Sequence, residues 1–147
     1  MSTNTGNRSV DFLNKVYQNA KMGSDSINYL TDKITDAAFL SDLQTQHSSY
    51  SSIISKTQTE LANNQALPKE TSPASQVGLW SGVQLNTLVD KSPCHIAEML
   101  IQGSTMGVID MTKALKEYSD APQNLKDIGQ ELIQLEENSI QKMKQYL

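Results

Sequence analysis

Residues 125–143 read LKDIGQELIQLEENSIQKM, and the apolar positions Leu125, Ile128, Leu132, Leu135 and Met143 recur at helical steps. That spacing lays one apolar stripe along one side of an α-helix. Three upstream stretches carry the same signature. Leu13, Val16, Ala20, Ile27, Leu30 and Ile34 mark the first, and Phe39, Leu43, Tyr50, Ile54 and Leu61 the second. Ile96, Leu100, Met111, Ala114 and Tyr118 mark the third. Four helices of similar length, each with one stripe, bury it by packing together. The expected fold is all-α, an antiparallel four-helix bundle.

Caps and breaks set the boundaries. Residues 1–9 have the composition of a disordered tail, followed by one bundle domain over 10–147. Its helices are expected at about 10–34, 37–63, 93–118 and 122–147. Ser9, Asp36 and Ser92 are N-cap candidates, and Pro93 follows Ser92 at the first helical position, where its missing N–H costs nothing. The joins at 35–36 and 119–122 are short, so each makes an antiparallel hairpin. Between the hairpins, 64–92 is irregular, with Pro68 and Pro73. A short extra helix is expected within it, from Val77 to Val89, with Trp80 on its apolar side. A helix of about 25 residues is roughly 38 Å long. A connection of about 28 residues at up to ~3.3 Å each can cross that length. The second and third helices are therefore free to run parallel through one long crossover, or antiparallel.

Composition narrows the function classes. The chain has 147 residues, a formal net charge of −4 and scattered Lys and Arg, so it offers no basic stripe to nucleic acid. No segment approaches ~20 uninterrupted apolar residues, so no membrane span is expected. Cys94 is the single cysteine, which rules out an internal disulfide. The polar start carries no secretory pattern, and a cytoplasmic location is expected.

Two helical hairpins joined by a long crossover resemble the ferritin-like superfamily, and the resemblance covers about Val10 to Leu147. The run Ala97-Glu98-Met99-Leu100-Ile101-Gln102-Gly103-Ser104 is also similar to the third helix of small bacterial members. In metal-binding members, the resemblance implies a Glu from the first and third helices and Glu-x-x-His from the second and fourth, holding two iron or manganese ions. The first helix here has no Glu. The second has Gln44-x-x-His47, the third has Glu98 near its start, and the fourth has Glu136-x-x-Ser139. The ligand motifs are absent, so no cofactor is expected. The alternative is a reduced iron or manganese site using His47, Glu98 and Glu136.

Other features have a structural and a functional reading. His47 is expected as a neutral core histidine bonded to a Ser, Tyr or Gln across the seam, or else as a residual ligand contact with Asp110 or Glu136 as partner. Cys94, His95 and Glu98 gather in one helical turn, where a metal could be bridged and the dipole could lower the thiol pKa; isolated surface chemistry is the plainer reading. Gly103-x-x-x-Gly107 clears one face of the third helix, for a tight contact with the Gly23 region or for a small pocket. Trp80 either staples the connection to the bundle or anchors a dimer. Glu131, Glu136 and Glu137 are expected on a solvated face.

The expected role is a non-catalytic structural or protein-interaction module, forming a homodimer or larger homo-oligomer, with spore-coat association one variant. The alternatives are a metal-binding oxidoreductase or metal-storage protein with a reduced site, and a small-ligand binder in the bundle core.

Overall fold

The computed structural model describes residues 2–71 and 88–147, with side chains from Gly6 onward. The expected helix at 77–89 and Trp80 lie outside, or at the edge of, the described residues. Four helices run in the order α1 (Ser2–Thr31), α2 (Ala37–Asn63), α3 (Pro93–Glu117) and α4 (Gln123–Met143), and a 3₁₀ turn at Lys144–Tyr146 follows. Each helix has an inward apolar face, shifted from the expected stripe over part of α2, and the buried side chains meet in one core.

Caps fix the helix starts. Asp36 accepts a hydrogen bond from the Phe39 N–H at 2.8 Å, and Ser92 accepts one from the His95 N–H at 3.3 Å. At the end of α2 the Ala66 N–H bonds to the Leu61 carbonyl and the Gln65 N–H to the Ala62 carbonyl. That pair is a Schellman motif. It places Gln65 at φ 54°, in the left-handed region that normally selects glycine.

Side-chain contacts give the helix directions. Near the start of α1, Arg8 donates to the Asp120 carboxylate and to the Glu117 carbonyl beyond the end of α3. Further along α1, Asn19 donates to the Gly107 carbonyl at 3.0 Å, so α1 and α3 are antiparallel. The short join makes α1 and α2 antiparallel as well, which leaves α2 and α3 parallel. The pairs Lys56–Glu131 and Asp42–Tyr146 set α4 antiparallel to α2. The topology is thus up-down-down-up, with a crossover at 64–92. Its first part lies along α1, where Tyr17 donates to Glu70 at 2.7 Å, Gln18 to the Lys69 carbonyl, and the Lys69 N–H to Asn14.

Three expectations change. Residues 2–9 continue α1 in place of a disordered tail. Arg8 ties this turn to the α3–α4 corner, stacks 4.9 Å from the Tyr118 ring, and precedes the buried Ser9. The helix then stops at Thr31, three residues before Ile34. In α2 the inward face is Gln46, Tyr50, Ile53 and Thr57, one position off the expected line through His47 and Ile54. The polar residues on that face hid its register.

Gln65→Gly removes the Cβ strain of the left-handed position. It should raise stability by up to about 1 kcal/mol, read as a higher denaturant midpoint with an unchanged m-value.

Candidate functional site

The period of α4 carries an acid into the core. Leu132 is fully buried, and the next inward positions of the helix are Glu136, Ser139 and Met143, all of them buried. Glu136 is 0% exposed, and neither of its carboxylate oxygens has a hydrogen-bond partner among the described residues. This corrects the expectation of a solvated face. Glu131 does face solvent, paired with Lys56 at 2.8 Å, and Glu137 is exposed.

Space for the carboxyl comes from α3. A Cβ on Gly107 would overlap the Glu136 carboxylate. A second notch serves the neighbouring side chain, because a Cβ on Gly23 of α1 would overlap the Tyr50 ring. The expected Gly107–Gly23 contact is therefore replaced by two separate accommodations, each glycine receiving a large side chain from the helix beside it. Gly107 is also held from its other side by the bond from Asn19.

A cleft between α1 and α3 has the buried Gln46, Tyr50 and Glu136 on its inner side and the half-buried Ser26 and Ser104 nearer solvent, with Met22, Ile27, Leu30, Met99 and Leu100 as its apolar walls. The cavity has a volume of about 30 Å³, room for a water-sized group. Besides the two Glu136 oxygens, Asn19 Oδ1, Gln46 Nε2 and Ser139 Oγ are buried without partners among the described residues. A wider hollow of about 340 Å³ lies elsewhere along α1 and α3, between Lys15, Asn19, Asp110 and Glu117. Its charged lining is of mixed sign and includes no buried acid.

Burial pushes the Glu136 pKa well above the ordinary glutamate range. The nearby Tyr50 hydroxyl acts in the opposite direction without reaching hydrogen-bonding geometry, and the Asp110 charge adds to the rise. Tyr50 is likewise pushed upward, by burial first and by the Glu136 charge second.

The sequence-derived candidates separate in space. His47 is half-buried, and its Nε2 lies 3.1 Å from Ser24 Oγ across the α1–α2 seam, so its partner is a serine in place of Asp110 or Glu136. Glu98 is exposed on α3 while Glu136 is sealed in the core. Cys94 is exposed and His95 half-buried in the same first turn. Among the described residues no three His, Cys, Asp or Glu side chains come together in a way that could hold a metal ion. His47, Glu98 and Glu136 thus do not form a common site. Sequence reading missed Tyr50, Gln46 and Ser139 as companions of Glu136. The available signal was the interrupted stripe of α4 between Leu132 and Met143.

The chain is an all-α four-helix bundle, and comparison with solved structures agrees. It is similar to the crystal structure of a DUF305 fragment from Deinococcus radiodurans, with a TM-score of 0.73 over 94% of this chain and 93% of that one. Identity is 14%, so the likeness is one of fold. No protein-family model matches the chain, and no curated protein sequence does.

Gly107→Ala should destabilise the fold by about 1–3 kcal/mol through overpacking, outweighing the roughly 1 kcal/mol gain in helix propensity. In a Glu136→Ala background the same change should cost nothing, a coupling that a double-mutant cycle of denaturant midpoints would read.

Glu136 also makes stability depend on pH. Its folded pKa lies above the unfolded value of about 4.3, so the folded state holds the proton more tightly. Stability is then full below the unfolded pKa and falls as pH rises through the raised one. Glu136→Gln should remove that decline. Its midpoint should exceed the parent's at pH 8 and match it near pH 4.5.

Proposed function

We propose that this chain is a non-catalytic bundle of the ferritin-like kind that binds a small amphipathic molecule in the α1–α3 cleft. One observation carries the reading: a fully buried, unpartnered carboxyl closes the inner end of a cavity with apolar walls. Ligand sites combine an apolar lining with a few convergent polar groups, and Glu136, Tyr50, Gln46 and Ser104 are those groups here. Binding fits better than catalysis because, among the described residues, Glu136 is the one carboxyl on this cleft and no histidine lines it. Acid–base chemistry would call for a second proton-transfer group within reach. The parallel course of α2 and α3 and the long connection between them support the ferritin-like assignment.

The interaction-module reading has its own support. Leu67 and Val89 are 87% and 90% exposed, at opposite ends of the crossover. Large apolar side chains left in water are candidates for a partner's or a second copy's surface.

Titrating four-carbon probes (1-butanol, butyramide and butylammonium chloride) should move the methyl NMR signals of Ile27, Leu30 and Leu100 with saturation. Ser104→Phe, which fills the cleft from a partly exposed position on α3, should abolish the shifts while circular dichroism stays unchanged. If no probe saturates these signals at millimolar concentration, the cleft is not a binding site.

A further inference from the structure

We infer that the inner end of the α1–α3 cleft is a site for a primary ammonium group, whose alkyl chain lies along the apolar walls. This rests on the cleft being a ligand site and adds the chemical class of the ligand.

Charge is the first reason. Glu136 presents two buried oxygens that have no hydrogen-bond partner among the described residues, the nearby Tyr50 hydroxyl being the one donor that acts on them. Among the described residues no Lys or Arg lines the cleft, and the other charge acting on Glu136 is that of Asp110, also negative. A buried carboxylate is tolerable when it is paired and hydrogen-bonded, and the described residues give it no cation and only the Tyr50 hydroxyl nearby. A ligand bringing a positive charge and several N–H donors supplies both.

Hydrogen-bond count is the second. An ammonium group has three donors and no acceptor. The two Glu136 oxygens take two of them, and the hydroxyl oxygen of Tyr50 or Ser104, on facing walls, takes the third. A half-turn of the Gln46 amide would present its carbonyl oxygen to the same space. A carboxylate or phosphate ligand would meet Glu136 with like charge.

Size is the third. The cleft as a whole has a volume of about 30 Å³, so it favours a primary ammonium on a slender chain over a trimethylammonium. Its apolar walls are Met22, Ile27, Leu30, Met99 and Leu100, which suit an unbranched alkyl chain. The two methionines make that wall adaptable in shape.

The ammonium and a proton compete for the same oxygens. Titratable or charged groups facing Glu136 are Tyr50 from α2 and Asp110 from α3, while α1 contributes Met22, Gly23 and Ser26, none of which titrates. His47 is turned to Ser24. Burial keeps Glu136 protonated to higher pH in the empty site, and the ammonium binds the ionised form. Association therefore releases a proton, and affinity rises with pH until the amine itself deprotonates.

Calorimetric titration of the full chain with butylammonium chloride, 1-butanol and butyltrimethylammonium chloride tests this, at pH 6, 7 and 8 and in two buffers of different ionisation enthalpy. Butylammonium should bind more tightly than butanol, strengthen from pH 6 to 8, and show proton release in the buffer comparison. Butyltrimethylammonium should not bind. Glu136→Gln, expected to fold at least as stably as the parent, should lose about tenfold to a hundredfold in butylammonium affinity and keep its affinity for butanol. Butanol binding without preference for butylammonium would overturn the ammonium assignment and leave the cleft as a ligand site. Butylammonium binding that Glu136→Gln leaves unchanged would also overturn it. Binding by none of the probes would overturn both readings, with water as the natural occupant of the cavity.

Discussion

A carboxyl group without a partner occupies the middle of this bundle, and the glycine opposite it sets how closely α3 and α4 approach. Gly107 has no side chain to give up, so the Glu136 carboxyl fills the space where a Cβ would stand. The same device recurs at two other seams. Gly23 of α1 receives the Tyr50 ring from α2, and Gly129 of α4 receives the Phe12 ring from α1. Each mid-helix glycine costs about 1 kcal/mol against alanine. The gain is a fixed register, because a large side chain seated in a notch on the next helix prevents sliding by a turn. Three notches at three different seams lock the four helices together in a way that a uniform apolar stripe would not.

Aromatic packing closes the two ends of the bundle, above and below this polar layer. At one end Phe12 packs against Tyr118 with ring centroids 6.0 Å apart, and Arg8 closes the corner over the same tyrosine. At the other, Phe39 and Tyr146 stack at 4.3 Å, and the Tyr146 hydroxyl donates to Asp42. That bond, with burial, pushes Tyr146 up to about 12. Fully buried Leu13, Leu30, Leu43, Leu61 and Leu132 complete the apolar layers. Removing a side chain of that size from a core costs several kcal/mol, on the order of 2–5. Against such terms one orphaned acid at mid-height is a tolerable loss.

The fold was legible because helical period and capping chemistry are local. The four stripes, the caps at Asp36 and Ser92 and the two tight joins all follow from residues within a turn or two of each other. The parallel course of α2 and α3 was not legible, since a connection long enough to cross the bundle is also free to return. The first turn of α1 was hidden for a similar reason. Residues 2–9 look like a tail until Arg8 meets Asp120, more than a hundred positions away. The centre was hardest. Glu136 read as a surface acid because glutamate usually is one, and its position four residues after Leu132 carried less weight than its charge. His47 drew attention as a likelier ligand than Gln46, yet Gln46 points inward and His47 is settled by Ser24. Residue type suggests chemistry, whereas helical phase decides what reaches the core.

Local rules hold through most of the described chain. The helix starts at Asp36 and Ser92 are capped, the end of α2 closes in a Schellman motif, and the exposed charges of Lys21, Lys56 and Arg8 are paired. Apart from the left-handed Gln65 and the start of α4, which has no side-chain cap, the exceptions gather near Glu136: buried polar atoms of Asn19, Gln46, Glu136 and Ser139 without partners among the described residues, and the mid-helix glycines Gly23 and Gly107. Scattered defects would suggest a poorly optimised sequence. Defects gathered around one cavity indicate a requirement that packing alone does not impose. A leucine at position 136 could fill the space against Gly107 without any desolvation loss. The carboxyl gives what leucine cannot, a strong acceptor in a dry pocket whose charge is absent while a proton stays and returns when a cation replaces it. Under the proposed ammonium binding the layer is a two-state element in electrostatic terms, set between the apolar packing of the two bundle ends.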